Sequence, residues 1–300
     1  KTLDFSPPDQ HLPRTCPELV DEAAALVESA LKPLDRGALK SLLRVSDALA
    51  SLNHERYQVW DRDHGDAEQT KQAALAFNGP AFQGWSAHTL TADQLEWAQA
   101  RVRILCGLYG ALRPLDAIRP YRLEMSTRVR TPRGPDLYKF WRSLVTEHLA
   151  GALTALRPEA VGGTVILLNC ASEEYGKVLD REALPGFVRE IKCVFKDAAS
   201  GGGFRVASVF AKRARGLMVR FVVQHCCRSV EEVKRFDLEG YRYADAESDE
   251  STLVFTRTLE ARKAAAAGAT TKAKGDGGGK SAGAARASRK RRSAGAGAGA

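Results

Sequence analysis

Apolar residues recur every three or four positions through the first third of the chain, which predicts helices over 18–31 and 39–52, with 53–60 continuing into another. The best-marked helix is 91–106. Leu95, Ala98, Val102 and Leu105 make one apolar stripe, and Thr91 with Gln94 has the pattern of a capping box. Gly107 ends it, because glycine enters the left-handed region without a Cβ clash. The run 113–135 has no period. It carries Pro114, Pro120 and Pro132 and is dense in arginine, so it reads as extended and irregular, a length of loop that is often functional. Asp136 can then cap a helix over 137–153. The continuous apolar run 164–169 has strand length and reads as a buried strand, followed by strands at 188–195 and 204–210. A helix over 211–227 starts basic and ends apolar, Ser229 with Glu232 opens a short helix to Phe236, and 252–258 alternates like a last strand. From about 261 onward Ala, Gly, Lys and Ser dominate without periodicity, which predicts a disordered tail over 261–300 behind a folded body of 1–260. Strands interleaved with helices make an α/β domain with a mixed sheet, and the helix-rich N-terminal third argues against a simple doubly wound one.

Composition changes that picture mainly through charge. The formal net charge is +9, and the whole of it falls from Ala261 onward, where ten lysines and arginines face only Asp276. Residues 1–260 are therefore neutral overall, and anion binding by the body has to rest on where its basic residues cluster. The six cysteines form no C-x-x-C pair and sit mostly in apolar runs, as free thiols of a reducing, cytoplasmic compartment do. The six histidines show no zinc-type spacing, so neither a metal nor a cofactor is expected. No apolar stretch reaches the length of a membrane span, and no signal peptide is evident. The chain opens on Lys1 rather than Met, which admits residues ahead of it.

Four constellations carry candidate chemistry. The first runs from Arg119-Pro-Tyr-Arg122 through Arg128, Arg130 and Arg133 to Tyr138 and Trp141, where arginines can hold phosphates and aromatic rings can stack bases. Its plainer reading is an arginine paired to Glu124 and aromatics in the core. The second is Asn169-Cys-Ala-Ser-Glu-Glu-Tyr175 with Lys177, directly after a strand, the usual place for a site in an α/β protein. Here Asn169, Ser172 and Glu174 are candidate catalytic groups, against an ordinary strand-to-helix turn with Ser172 as N-cap. The third is Lys212, Arg213 and Arg215 at the start of a helix, where cations oppose the macrodipole and call for an anionic partner. A solvated face is the alternative. The fourth is Gly107-Leu-Tyr-Gly110, a tight turn that can present amides to a nucleic-acid backbone or simply close a helix. In the tail, Arg289-Lys-Arg-Arg292 reads as a localisation signal, a non-specific grip, or a functionless extension.

Together these stretches resemble the YaaA family of peroxide-stress proteins. The resemblance is carried by Lys1-Thr-Leu-Asp-Phe-Ser-Pro-Pro8, Ser46-Asp-Ala-Leu-Ala50, 105–125, 132–141, 169–177, 211–218, Phe236-Asp237, Gly240-Tyr241 and Leu253-Val-Phe-Thr-Arg257, in order along the chain. It implies one α/β domain with a positively charged cleft and a helix-hairpin-helix-like element at Gly107–Gly110, and a protein that binds DNA and limits oxidative damage, in part by lowering free iron. The cleft residues it implies are Lys1, Arg122, Arg133, Lys177, Lys212, Arg213 and Arg215, with Tyr138 placed to stack a base. It also implies a short apolar strand ahead of Lys1. Ser126 and Gly176 depart from a glycine and an aromatic, and the tail has no counterpart. The partner expected is therefore DNA, with no membrane and an open oligomeric state. The rival is an enzyme acting on a nucleotide or base through Asn169, Ser172 and Glu174. An iron-handling role ranks lowest, for want of clustered ligands.

Overall fold

The computed structural model describes residues 2–7, 12–64, 66 and 68–275. The N-terminal third is helical: α1 (Val20–Leu26, continued by one π turn, Val27–Leu31), α2 (Arg36–Leu43) and α3 (Asp47–Gln58). The single helix read over 39–52 is two. Arg44 turns left-handed at φ 52°, and the Ser46 side chain accepts the Leu49 N–H to start α3 afresh. After β1 (Lys71–Gln72) come two helices with no counterpart in the periodicity, α4 (Ala73–Ala76) and α5 (Pro80–Trp85). The Thr91–Gln94 capping box is present, but α6 (Ala92–Arg101) stops five residues before the predicted end, and Val102 is already extended.

The fourth constellation consequently lies in a different structure. β2 (Ile104–Cys106) and β3 (Gly110–Leu112) pair antiparallel, so Gly107–Gly110 is the turn of a β-hairpin and not a link between helices. The turn is buried. A Cβ on Gly107 would stand 2.8 Å from the Leu123 carbonyl oxygen, and one on Gly110, at φ 67°, would stand 2.6 Å from the Trp141 ring. The helix-hairpin-helix-like element expected here is therefore replaced by a packed hairpin.

The irregular run 113–135 is as expected, apart from β4 (Ala117–Ile118) on β1. It is not loose, since Tyr121, Leu123, Met125 and Val129 are buried. Asp136 caps α7 (Leu137–Leu156) by accepting the Lys139 N–H at 2.8 Å.

The main sheet follows. β5 (Val165–Asn169) leads through α8 (Glu173–Gly176) to β6 (Val188–Ala198), and β7 (Phe204–Arg205) folds back on the end of β6. Only these two residues of the predicted 204–210 strand pair as one, because α9 (Ser208–Gln224) has begun by Ser208. Then come α10 (Val230–Lys234), β8 (Arg242–Tyr243), β9 (Thr252–Arg257) and α11 (Leu259–Gly275). The strand order is β5-β6-β9-β8, with β5, β6 and β9 parallel and β8 antiparallel, a mixed sheet in an α/β chain. Residues 261–275, read as disordered, continue α11; alanine-rich sequence has high helix propensity even without an apolar stripe. The remainder of the predicted tail, 276–300, lies outside the described residues.

Two apolar clusters form the interior. One gathers α1 to α7 and the 113–135 run; the other packs α9 and α10 on β6 and β9. Strand alternation puts β5 between them, with Leu167 against the first and Ile166 and Leu168 against the second.

Candidate functional site

β5 ends at Asn169, and the next residues turn through Cys170 and Ala171 into α8. Asn169 sets the turn from both sides of its amide. Its Oδ1 accepts the Ala171 N–H at 2.9 Å, and its Nδ2 donates to Glu190 Oε1 at 2.7 Å. Burial pushes the Glu190 carboxyl up, but hydrogen bonds from Arg181 and Asn169 outweigh it and hold the group below its ordinary value. The parallel register of β5 and β6 places Lys192 opposite Asn169. Lys177 follows α8 as its C-cap, and α9 brings Arg215 over the same turn. Asn169, Lys177, Lys192 and Arg215 surround a cavity of about 260 Å³, lined also by Ser172, Glu173 and Arg181. Ser172 occupies the N-cap position of α8, yet its side chain makes no capping bond.

A larger, mostly apolar cavity of about 690 Å³ adjoins it, sharing Asn169, Ser172 and Arg215 and adding Lys212, Glu124 and Glu174 to its lining. Glu174 accepts from the Ser126 hydroxyl at 2.8 Å and the Ser126 N–H at 3.1 Å, and its carbonyl accepts from the Tyr138 hydroxyl at 2.9 Å. Burial, reinforced by the Glu174 charge, pushes the phenols of Tyr138 and Tyr175 up. A hydrogen bond with Cys170, together with burial, pushes the Cys193 thiol well above its ordinary range. All six cysteines are free.

Seen from the sequence, the structure brings together Lys177 and Arg215 at the smaller cavity, with Lys212 beside Arg215 at the larger one. It also gathers Asn169, Ser172 and Glu174, although hydrogen bonds within the protein already engage Asn169 and Glu174. Arg213, adjacent to Lys212 in the chain, is held elsewhere by Glu239 at 2.6 Å, which also reaches the buried Arg257–Asp197 pair. Arg133 pairs with Glu22 at 2.6 Å and lies over the Phe140 ring. Arg113 and Arg119 pair with Asp116 and Asp61, so the arginine-dense run is partly a set of internal ties. Arg122 is half-buried, with its carbonyl held by the Tyr57 hydroxyl, and lines neither cavity. Trp141 is fully buried and its indole N–H donates to the Gly107 carbonyl, which removes it as a stacking surface. Lys1 falls outside the described residues. Lys192 was not legible, because only the sheet register carries it to Asn169. By contrast with the paired arginines, Lys177, Lys192, Lys212 and Arg215 form no ion pair among the described residues.

Comparison with known proteins matches residues 1–247 to the family described as "Peroxide stress protein YaaA". The chain belongs to the YaaA family. The match takes in β5, α8, β6 and α9, all the elements that build the site. A UPF0246 protein of Bordetella avium is 44% identical over 260 residues, covering 87% of this chain and 97% of the relative. One from Maricaulis maris is 41% identical over 268 residues, covering 88% and 97%. Another, from Ralstonia nicotianae, is 42% identical over 257 residues, covering 86% and 96%. A YaaA-family place supports a role in peroxide stress. Among the described residues no helix is long and apolar enough to cross a membrane, and no three His, Cys, Asp or Glu side chains gather as metal ligands would.

Proposed function

We propose that this YaaA-family chain acts in peroxide stress by binding DNA, gripping backbone phosphates at the turn after β5 and so limiting oxidative damage to the bound strand. One observation carries the reading. Lys177, Lys192 and Arg215 come from three different elements, converge on one cavity and lack ion-pair partners among the described residues, while many neighbouring arginines are paired. Glu173 also lines the cavity, and Glu190 lies near enough to Lys192 to feel its charge. No carboxylate is ion-paired with any of the three among the described residues, and like charges brought together are costly unless an anion joins them. A phosphate, with several acceptor oxygens, meets all three at once. Lys212 in the wall of the adjoining cavity, and Tyr138, which lines neither cavity but donates its hydroxyl to the Glu174 carbonyl, extend the grip along a strand, with phosphate contacts fixing position more than sequence. Any fall in free iron is, on this reading, a consequence of the protein's action and not of an iron site of its own.

The test is binding of a single-stranded oligonucleotide by the full chain, titrated with salt, beside the variant Lys177→Ala/Lys192→Ala/Arg215→Ala. The expected result is affinity reduced tenfold or more, with the slope of log affinity against log salt shallower by about 0.7 for each phosphate that the variant no longer neutralises. An unchanged affinity and slope in a folded variant would overturn the proposal.

A further inference from the structure

The cysteines are scattered along the sequence, but the sheet brings two of them together. β5 and β6 run parallel and in register as far as Asn169 opposite Lys192, so the next residue of each is a cysteine, Cys170 beside Cys193. Strand alternation sends both side chains to one face. Cys193 is buried with Ile191 and Phe195 in the cluster beneath α9, and the half-buried Cys170 packs against that same cluster. A hydrogen bond joins the two thiol groups, and both are free.

The pair stands where the ladder stops. β9 occupies one edge of β6 as far as Asp197. On the other edge β5 makes its last pairing at Lys192, and β7 joins only at Asp197, so among the described residues no strand lies beside Cys193 to Lys196. The smaller cavity fills that gap. Cys193, Val194 and Phe195 line it in succession, together with Asn169 and Ala171, the chain neighbours of Cys170. Within a regular ladder, strands ~4.8 Å apart hold facing Cβ atoms farther apart than the ~3.8 Å typical of a disulfide. Cys170 lies one residue past the last paired position, in the turn that Asn169 shapes, so no ladder bond keeps its backbone from making up the difference.

We propose that Cys170 and Cys193 are a peroxide-oxidised dithiol that closes to a disulfide across the end of the β5–β6 ladder. Hydrogen peroxide, little larger than water, has room in a cavity of about 260 Å³, against ~30 Å³ for one water. A hydrogen bond with Cys170, reinforced by burial, holds the Cys193 thiol well above its ordinary range, so Cys193 keeps its proton and Cys170 attacks first. The Cys170 sulfur, as thiolate, takes one peroxide oxygen and becomes a sulfenic acid. The O–O bond breaks, and the departing hydroxide leaves as water with the proton that Cys170 gave up. Cys193 then attacks the oxidised sulfur. The S–S bond forms, the S–O bond breaks, and the hydroxyl leaves with the Cys193 proton as a second water. One peroxide is reduced by two electrons as two thiols become one disulfide. The dithiol reacts in this way whether or not the neighbouring cations hold a phosphate.

The experiment treats the reduced full chain with a small excess of hydrogen peroxide, digests it without reduction and maps its peptides by mass spectrometry. The expected product is a Cys170–Cys193 cross-link within one chain, reversed by dithiothreitol. In Cys193→Ser the sulfenic acid on Cys170 has no partner, so its trapping by dimedone should rise several-fold over the unsubstituted chain, while Cys170→Ser should leave Cys193 reduced. Oxidation confined to the exposed Cys16 and Cys226, with Cys170 and Cys193 still reduced, would overturn the proposal. So would sulfinic acid accumulating on Cys170 of the unsubstituted chain, since Cys193 would then fail to reach it, or a Cys170 cross-link found only between chains. The mapping is made on the unsubstituted chain, so its outcome stands even where a serine variant fails to fold.

Discussion

His64 is a buried ring whose two nitrogens have different partners. The Arg62 carbonyl can only accept, so Nδ1 carries the proton and donates to it at 2.9 Å, and Nε2 accepts from the Tyr109 hydroxyl at 2.9 Å. That hydroxyl in turn accepts from Trp60 Nε1 at 3.2 Å and the Arg119 N–H at 3.1 Å. A proton on Nε2 leaves the Tyr109 hydroxyl facing another donor. Burial accordingly pushes the His64 pKa down from 6.5. Below 6.5 the unfolded chain takes up the proton more readily than the folded one. The stabilisation is therefore complete above about pH 6.5 and is lost as pH falls through the lowered folded value. Thermal unfolding measured from pH 7.5 to 5 should show stability declining below 6.5, by at most ~1.4 kcal/mol per pH unit for each such proton. His148, also lowered by burial although Glu18 lies 3.2 Å away, acts in the same direction. A His64→Gln variant should be less stable at pH 7.5 and have a shallower acid decline, with the His148 share remaining. A decline parallel to that of the unsubstituted chain would show that His64 titrates normally in the fold.

At the scale of elements, the position of Arg215 depends on how closely α9 lies against α5. A Cβ on Gly216 would stand 1.6 Å from the Ala81 carbonyl oxygen, and one on Gly84 would stand 2.2 Å from the Arg213 carbonyl oxygen. Two glycines thus let the helix backbones touch one residue from the basic cluster. Helix propensity alone favours Gly216→Ala by about 1 kcal/mol. Overpacking against a backbone costs about 1–3 kcal/mol or more, so the net expectation is destabilisation. Urea unfolding gives the sign, and the same variant should weaken oligonucleotide binding as Arg215 moves; a stabilised variant would mean the helices stand apart. The same close approach explains what the sequence conveyed. Capping signals act within four residues, so Thr91 with Gln94 and Ser229 with Glu232 were readable directly. α5 was not, since Pro80 and Gly84 read locally as a turn and the helix depends on a partner some 130 residues away. Gly107 misled for a related reason: glycine marks a tight turn, and whether helices or strands flank it is decided by packing against Leu123 and Trp141. The site was half legible. Lys177 and Arg215 stand beside recognisable turns and helix starts, whereas Lys192 reaches Asn169 only through the pairing of two strands.

Across the whole molecule the charge is divided unevenly, and the division separates two contributions to nucleic-acid binding. Residues 1–260 are neutral overall, so the long-range field of the body is weak and its attraction for an anion is local to the turn after β5. The last 25 residues, 276–300, hold six lysines and arginines against Asp276. Diffuse positive charge of this kind raises the rate of encounter with a polyanion, whereas cations seated around a bound phosphate govern how long it stays. The chain ending at Gly275 keeps α11, including the Arg262 guanidinium over the Phe210 ring, and tests the division without disturbing the sheet. In stopped-flow binding of a labelled oligonucleotide at low salt, its association rate should fall several-fold while its dissociation rate hardly changes. The Lys177→Ala/Lys192→Ala/Arg215→Ala variant should show the reverse, faster dissociation with association nearly preserved. Raising the salt toward physiological strength should erase the first difference, because a field acting over more than a Debye length of ~8 Å is screened, and leave most of the second. If removal of 276–300 abolished binding at every salt concentration, the tail would be the whole of the interaction and the converging cations would need another ligand.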